Sequence, residues 1–219
     1  MSNNRTRFAR EKTALDGNLL KLSAQNPENQ KYASLVWSVG KTGKVTATVW
    51  TGNEQDSAKI TFEPYGFTSL VNLIEQVTTD KIPGFRMIHE DYSYGAGGRR
   101  SETQELQGTF LVQREPDGRI FVMVMSPDTR IAKIKFYLSF PRGYQVLDKD
   151  KKTLEVKELS NIRAKAYFES VHQIVMHLIP TLYEHPQPKT QSNNNGGRPP
   201  ASGNKSGGES SGGWDDVPH

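Results

Sequence analysis

Hydrophobic residues recur at every second position in several short stretches and at helical spacing in two longer ones. Leu35, Trp37 and Val39 alternate with polar or small residues. Gly40-Lys41-Thr42-Gly43 then supplies a turn, and Val45, Ala47 and Val49 alternate again, which predicts a hairpin. Ala58 to Glu63 alternates through Ile60 and Phe62 until Pro64-Tyr65-Gly66 ends the strand. Leu70, Val71, Leu73, Ile74 and Val77 follow at the spacing of one helix face.

The second half repeats the plan. A strand is predicted over Phe85 to Tyr92, followed by the interruption Gly95-Ala96-Gly97-Gly98. Phe110 to Gln113 and Ile120 to Met125 then flank the turn sequence Glu115-Pro116-Asp117-Gly118. Ile134, Phe136, Leu138 and Phe140 alternate within a strand predicted over Ala132 to Phe140. A long helix follows, with Ser160 expected as N-cap, Val171, Ile174, Val175 and Leu178 on its buried side, and Pro180 kinking or ending it.

Strand blocks separated by helices define an antiparallel α+β domain over residues 31–185, in a strands-helix-strands-helix pseudo-repeat. In this order of elements the chain resembles the Whirly and purine-rich-element-binding families, which implies curved antiparallel sheets that bind single-stranded nucleic acid. The alternative architecture is an OB-fold barrel ending near Val112, with the later elements as C-terminal additions. Residues 1–30 are polar and basic, with Leu15, Leu19, Leu20 and Leu22 as a short apolar cluster, and are expected to form a loosely docked arm. Residues 186–213, rich in Asn, Gly, Ser and Pro, are expected to be a disordered linker, because they offer too little apolar surface to offset chain entropy.

Charge and composition narrow the function classes. Lys and Arg number 28 against 24 Asp and Glu, mildly basic and far from a polycationic DNA packer. The absence of cysteine excludes disulfides, thiolate metal sites and thiol catalysis, and fits a cytoplasmic protein or, for a virus, the host cytoplasm. No apolar run reaches the roughly 20 residues that span a bilayer, and Met1 to Lys21 lacks a signal-peptide core, so no membrane partner is expected. Of the five histidines, His172 and His177 lie five apart, whereas a zinc-binding helix uses an i, i+4 pair. The glycine cluster lacks the Gly-Lys-Ser/Thr ending of a phosphate loop. No metal, cofactor or catalytic constellation is therefore expected.

What remains is a pattern suited to single strands, in which rings stack on bases and cations meet phosphates. Tyr92 and Tyr94 precede the glycine cluster, and Arg99 and Arg100 follow it. A plain solvated loop is the competing explanation. In the Ala132 to Phe140 strand, Lys133, Lys135 and Tyr137 lie opposite the apolar row, giving a basic, aromatic face whose competitor is an ordinary solvated one. Trp50 shares the outer face of its strand with Thr46 and Thr48. Trp37 shares parity with Leu35 and Val39, which favours a core position, with a strand contact as the lesser reading.

The C-terminal residues Trp214, Asp215, Asp216, Val217, Pro218 and His219 place acidic and apolar groups after the linker. This tip resembles that of bacterial and phage single-stranded-DNA-binding proteins, which ends Asp-Asp-Ile-Pro-Phe, with His219 standing where that family has Phe. The resemblance implies docking onto basic-rimmed apolar pockets of replication or recombination proteins. The expected function is a non-enzymatic, phage-encoded single-stranded-DNA-binding protein. The alternatives are an RNA-binding or transcription-regulating module and a strand-annealing protein, and homo-oligomerisation is left open.

Overall fold

The computed structural model describes residues 15, 20–53, 56–94, 98–140 and 144–184, all within one compact unit, Met1–Pro186. The chain runs β1 (Leu22–Gln25), β2 (Tyr32–Val39), β3 (Val45–Trp50), β4 (Ser57–Phe62), α1 (Pro64–Thr78), β5 (Gly84–Tyr94), β6 (Arg100–Arg114), β7 (Ile120–Met125), β8 (Phe136–Tyr137) and α2 (Val156–Leu182). It is an α+β fold with two antiparallel four-stranded sheets, β1-β2-β3-β4 and β5-β6-β7-β8. Neither sheet closes on itself, so the barrel alternative is set aside.

Strict alternation in β2 and β3 makes two faces of different chemistry. Leu35, Trp37, Val39, Val45, Ala47 and Val49 turn inward and are buried, joined from β4 by Ala58, Ile60 and Phe62. From the second sheet, Phe110, Val112, Val122, Val124 and Phe136 meet them. The apolar stripes of α1 (Phe67, Leu70, Ile74, Val77) and α2 (Ala164, Phe168, Val171, Val175) complete the core. Trp37 lies at its centre, with ring centroids 5.4 Å from Phe67, 5.8 Å from Phe110 and 6.3 Å from Phe168. Its indole N–H donates to the Tyr167 hydroxyl (2.9 Å), which donates to the Leu20 carbonyl (2.9 Å). This chain of bonds satisfies the polar atoms and ties the N-terminal segment to α2.

The sheets meet where β6 crosses β4. At Gly108 an added Cβ would collide with the Lys59 carbonyl oxygen, so only glycine allows the two backbones this close. Beyond the crossing, no residue from Ile88 to Tyr94 or from Arg100 to Gln107 is buried, and β5 and β6 leave the core as a two-stranded ribbon.

Several expectations need correction. Leu15, Leu20 and Leu22 are core residues and β1 pairs with β2, so the chain joins the fold before residue 31. The period of two over Ala132 to Phe140 appears in burial, but only Phe136 and Tyr137 pair with β7; an extended segment alternates its side chains whether or not a neighbouring strand bonds to it. Ser160 is not the N-cap. A capping box of Glu155 and Glu158 starts α2 at Val156, which leaves Ser160 buried in the second turn. There its hydroxyl accepts from the Ile120 N–H (2.8 Å) and donates to the Leu138 carbonyl (2.9 Å), linking helix to sheet.

Candidate nucleic-acid interface

The outward face of the first sheet carries Ser34, Val36 and Ser38 from β2, Thr46, Thr48 and Trp50 from β3, and Ser57, Lys59 and Thr61 from β4. Small hydroxyl side chains keep this surface low. Two large rings stand out from it, Tyr32 at 83% exposure and Trp50 at 48%. The register fixes their relation: Trp50 faces Ser34 on one side and Ser57 on the other, while Thr48 faces Lys59. Tyr32, Trp50 and Lys59 therefore lie on one diagonal across three strands, each step being a diagonal cross-strand neighbour at about 7–8 Å. Lys59 forms no ion pair among the described residues.

The diagonal continues onto the ribbon. Lys59 and Thr61 form one side of a shallow groove whose other side is His89, Asp91, Tyr92 and Gln107. The Arg100 guanidinium lies 3.4 Å from the Tyr92 ring centroid, a cation–π stack that holds a positive charge beside the aromatic ring. Of the expected ribbon residues, the structure thus brings Tyr92 and Arg100 together. Tyr94 is 69% exposed and faces Arg100 in the ladder, and Arg99 is exposed next to it. Residues 95–97 lie outside the described residues.

The Lys133, Lys135 and Tyr137 surface has a different character. The Lys135 ammonium is paired with Glu115, which raises its pKa, and also lies 4.7 Å from the Phe121 ring centroid. Tyr137 has Arg119 4.4 Å from its ring centroid and packs edge-on against Phe121 at 6.1 Å. Arg119 is in turn paired with Asp117, whose pKa is lowered first by the Arg119 backbone N–H and then by its side chain. Charges and ring faces here are already engaged by one another; Lys133 alone is exposed without a described ion pair. Trp37, only 2% exposed, is removed from any contact surface, since its ring is enclosed by core aromatics.

Tyr32, Lys59, His89, Asp91 and Gln107 were not singled out from sequence. Tyr32 and Lys59 carry a usable sign: both occupy outward parity, opposite Leu35 and Ile60. The ribbon residues carry none, because their meeting with β4 depends on the crossing at Gly108. The tip residues Trp214, Asp215, Asp216, Val217, Pro218 and His219 lie outside the described residues. Among the described residues there is no group of three or more His, Asp or Glu arranged to hold a metal, and no helix is long and apolar enough to cross a membrane.

Compared with protein-family models, curated proteins and solved structures, the chain matches none.

Proposed function

We propose that this chain is a single-stranded-DNA-binding protein of replication or recombination. It holds the strand along the diagonal Tyr32, Trp50 and Lys59 and onto the ribbon at Tyr92 and Arg100, and it recruits other proteins through its acidic tip. The observation that carries the reading is the diagonal: two exposed rings and a cation with no ion pair among the described residues, in line across an otherwise low, hydroxyl-rich sheet face. Rings on such a face stack on bases irrespective of sequence, and cations beside them neutralise phosphates. A duplex, whose bases are already stacked on one another, gains little from the rings.

A Whirly-like role for the two sheets agrees with four strands and a helix occurring twice in succession. The acidic tip supplies partner recruitment on the resemblance already drawn. Recruitment and strand binding use different residues and need no cofactor.

The test is binding of labelled oligo-dT, RNA of matching length and a duplex across a salt titration. Oligo-dT should bind more tightly than duplex, with log K falling linearly against log salt at about 0.7 per phosphate neutralised. Tighter binding to RNA than to oligo-dT would move the protein to the RNA-binding class. Equal, weak, strongly salt-dependent binding to all three would reduce the face to a non-specific basic surface.

A further inference from the structure

A groove lies between β4 and the ribbon, at the end of the proposed binding face. It measures about 190 Å³ and is lined by Lys59, Thr61, His89, Asp91, Tyr92 and Gln107. That is below the roughly 300–1,000 Å³ of sites that enclose a whole cofactor, and it suits a single flat group. Its polar atoms are specifically set. The β5–β6 register shifts between His89 and Glu90, which leaves Gln107 as the extra residue of a bulge, a device that re-aims a side chain. The Gln107 amide nitrogen is turned back onto the ribbon, donating to the Glu105 carbonyl (3.2 Å) and, more weakly, to the Asp91 carbonyl (3.4 Å), so Oε1 is its remaining hydrogen-bonding atom. Asp91 Oδ1 accepts from the Tyr92 N–H (2.8 Å), and Oδ2 makes no described hydrogen bond, with the Lys44 ammonium as a nearby opposite charge.

Two acceptor-bearing side chains, Asp91 and Gln107, thus line a groove at the end of the ring diagonal. Lys59, on the β4 side of the groove, can meet a phosphate, whereas the Asp91 carboxylate repels one and leaves the ribbon side to a base. A base edge bearing N–H donors is attracted by that carboxylate, as carboxylates accept from the cytosine amino group in direct readout. Asp91 also faces Glu105 directly across the ladder, a like-charge pairing that weakens the ribbon rather than holding it. We infer that this groove is a base-selective subsite in which Asp91 and Gln107 accept hydrogen bonds from amino-bearing bases, cytosine or adenine, in preference to thymine. The inference rests on the proposed single-strand binding and adds selectivity to it.

The experiment compares affinities for oligo-dC, oligo-dA and oligo-dT of equal length at one salt concentration, in the full chain and in Asp91→Asn. Asparagine retains Oδ1 for the Tyr92 N–H and replaces the second acceptor by a donor, so the ribbon keeps its local bond. The full chain should favour oligo-dC or oligo-dA over oligo-dT by about 5- to 150-fold, the span of 1–3 kcal/mol for a good base contact. In Asp91→Asn that ratio should fall towards one, while oligo-dT affinity holds or rises as a negative charge is lost. Equal binding of all three oligonucleotides by the full chain, or an unchanged ratio in the variant, would overturn the subsite and leave single-strand binding intact. Failure of the full chain to bind any of the three would overturn both.

Discussion

Replacing Trp50 by alanine separates the stacking contribution from the electrostatic one. The ring is about half exposed, so of the 150–250 Å² that a tryptophan buries in a core, about 100 Å² is at stake here. At about 25 cal/mol/Å² its loss should cost about 2.5 kcal/mol of fold stability, tolerable if binding is measured well below the unfolding midpoint. On the DNA side, loss of one stacked base should cost about 1–3 kcal/mol, or about 5- to 150-fold in affinity, with the salt slope unchanged. Lys59→Ala should do the reverse, lowering the slope by about 0.7 with a smaller affinity change. Fluorescence anisotropy with oligo-dT at several salt concentrations reads both quantities, and Trp50→Phe, which keeps a ring, should recover most of the affinity. Wild-type affinity in a folded Trp50→Ala protein would refute the stacking argument, as would a fall in slope with no fall in affinity.

The remaining expectations concern other parts of the molecule. Lys133 and Lys135 replaced together by alanine should change oligo-dT affinity far less than Lys59→Ala, because Lys135 is already paired with Glu115; a larger loss in the double variant would return the site to that surface. Tyr167→Phe leaves the Trp37 indole N–H and the Leu20 carbonyl without a partner and should lower stability by about 1–3 kcal/mol in urea unfolding, so a neutral result would show that the buried bonds add nothing. Burial raises the Tyr167 pKa above its ordinary 10.0. The folded state therefore favours the protonated ring, and this contribution is fully present below about pH 10 and lost as pH rises towards the folded value. Above about pH 10, wild-type stability should accordingly fall more steeply with pH than that of Tyr167→Phe, as urea unfolding at several pH values would read. Deleting Trp214 to His219 should leave oligo-dT affinity intact or slightly raised and abolish capture of partner proteins; identical captured sets would remove the tip from recruitment.

The elements most legible in the sequence are those whose two faces meet different surroundings. β2 and β3 alternate because one side is core and the other solvent, and parity alone placed Trp50 outward. The same parity put Trp37 with Leu35, and the structure follows it. The outer half of β6, Arg100 to Gln107, has no period because neither face of the ribbon is buried, and its run of polar residues reads as loop. β1 was hidden by its brevity, four residues of which only Leu22 is buried. The candidate site was half visible for the same reason. The rings and cations stand in the sequence, but their alignment depends on the register of three strands and on one glycine at the sheet crossing. At Lys133, Lys135 and Tyr137 the sequence shows the basic, aromatic pattern but not its pairing with Glu115, with Arg119 and Asp117, and with the Phe121 ring, which depends on the fold.

The most direct measurement is photo-crosslinking of an iodouracil-substituted single strand to the full chain, with the attached residues identified by mass spectrometry. Crosslinks should concentrate at Tyr32 and Trp50, with Tyr92 next, and should fall together when unlabelled oligo-dT competes. Crosslinks confined to Tyr137, or absent from the outer face of the first sheet in a complex that demonstrably forms, would contradict the account.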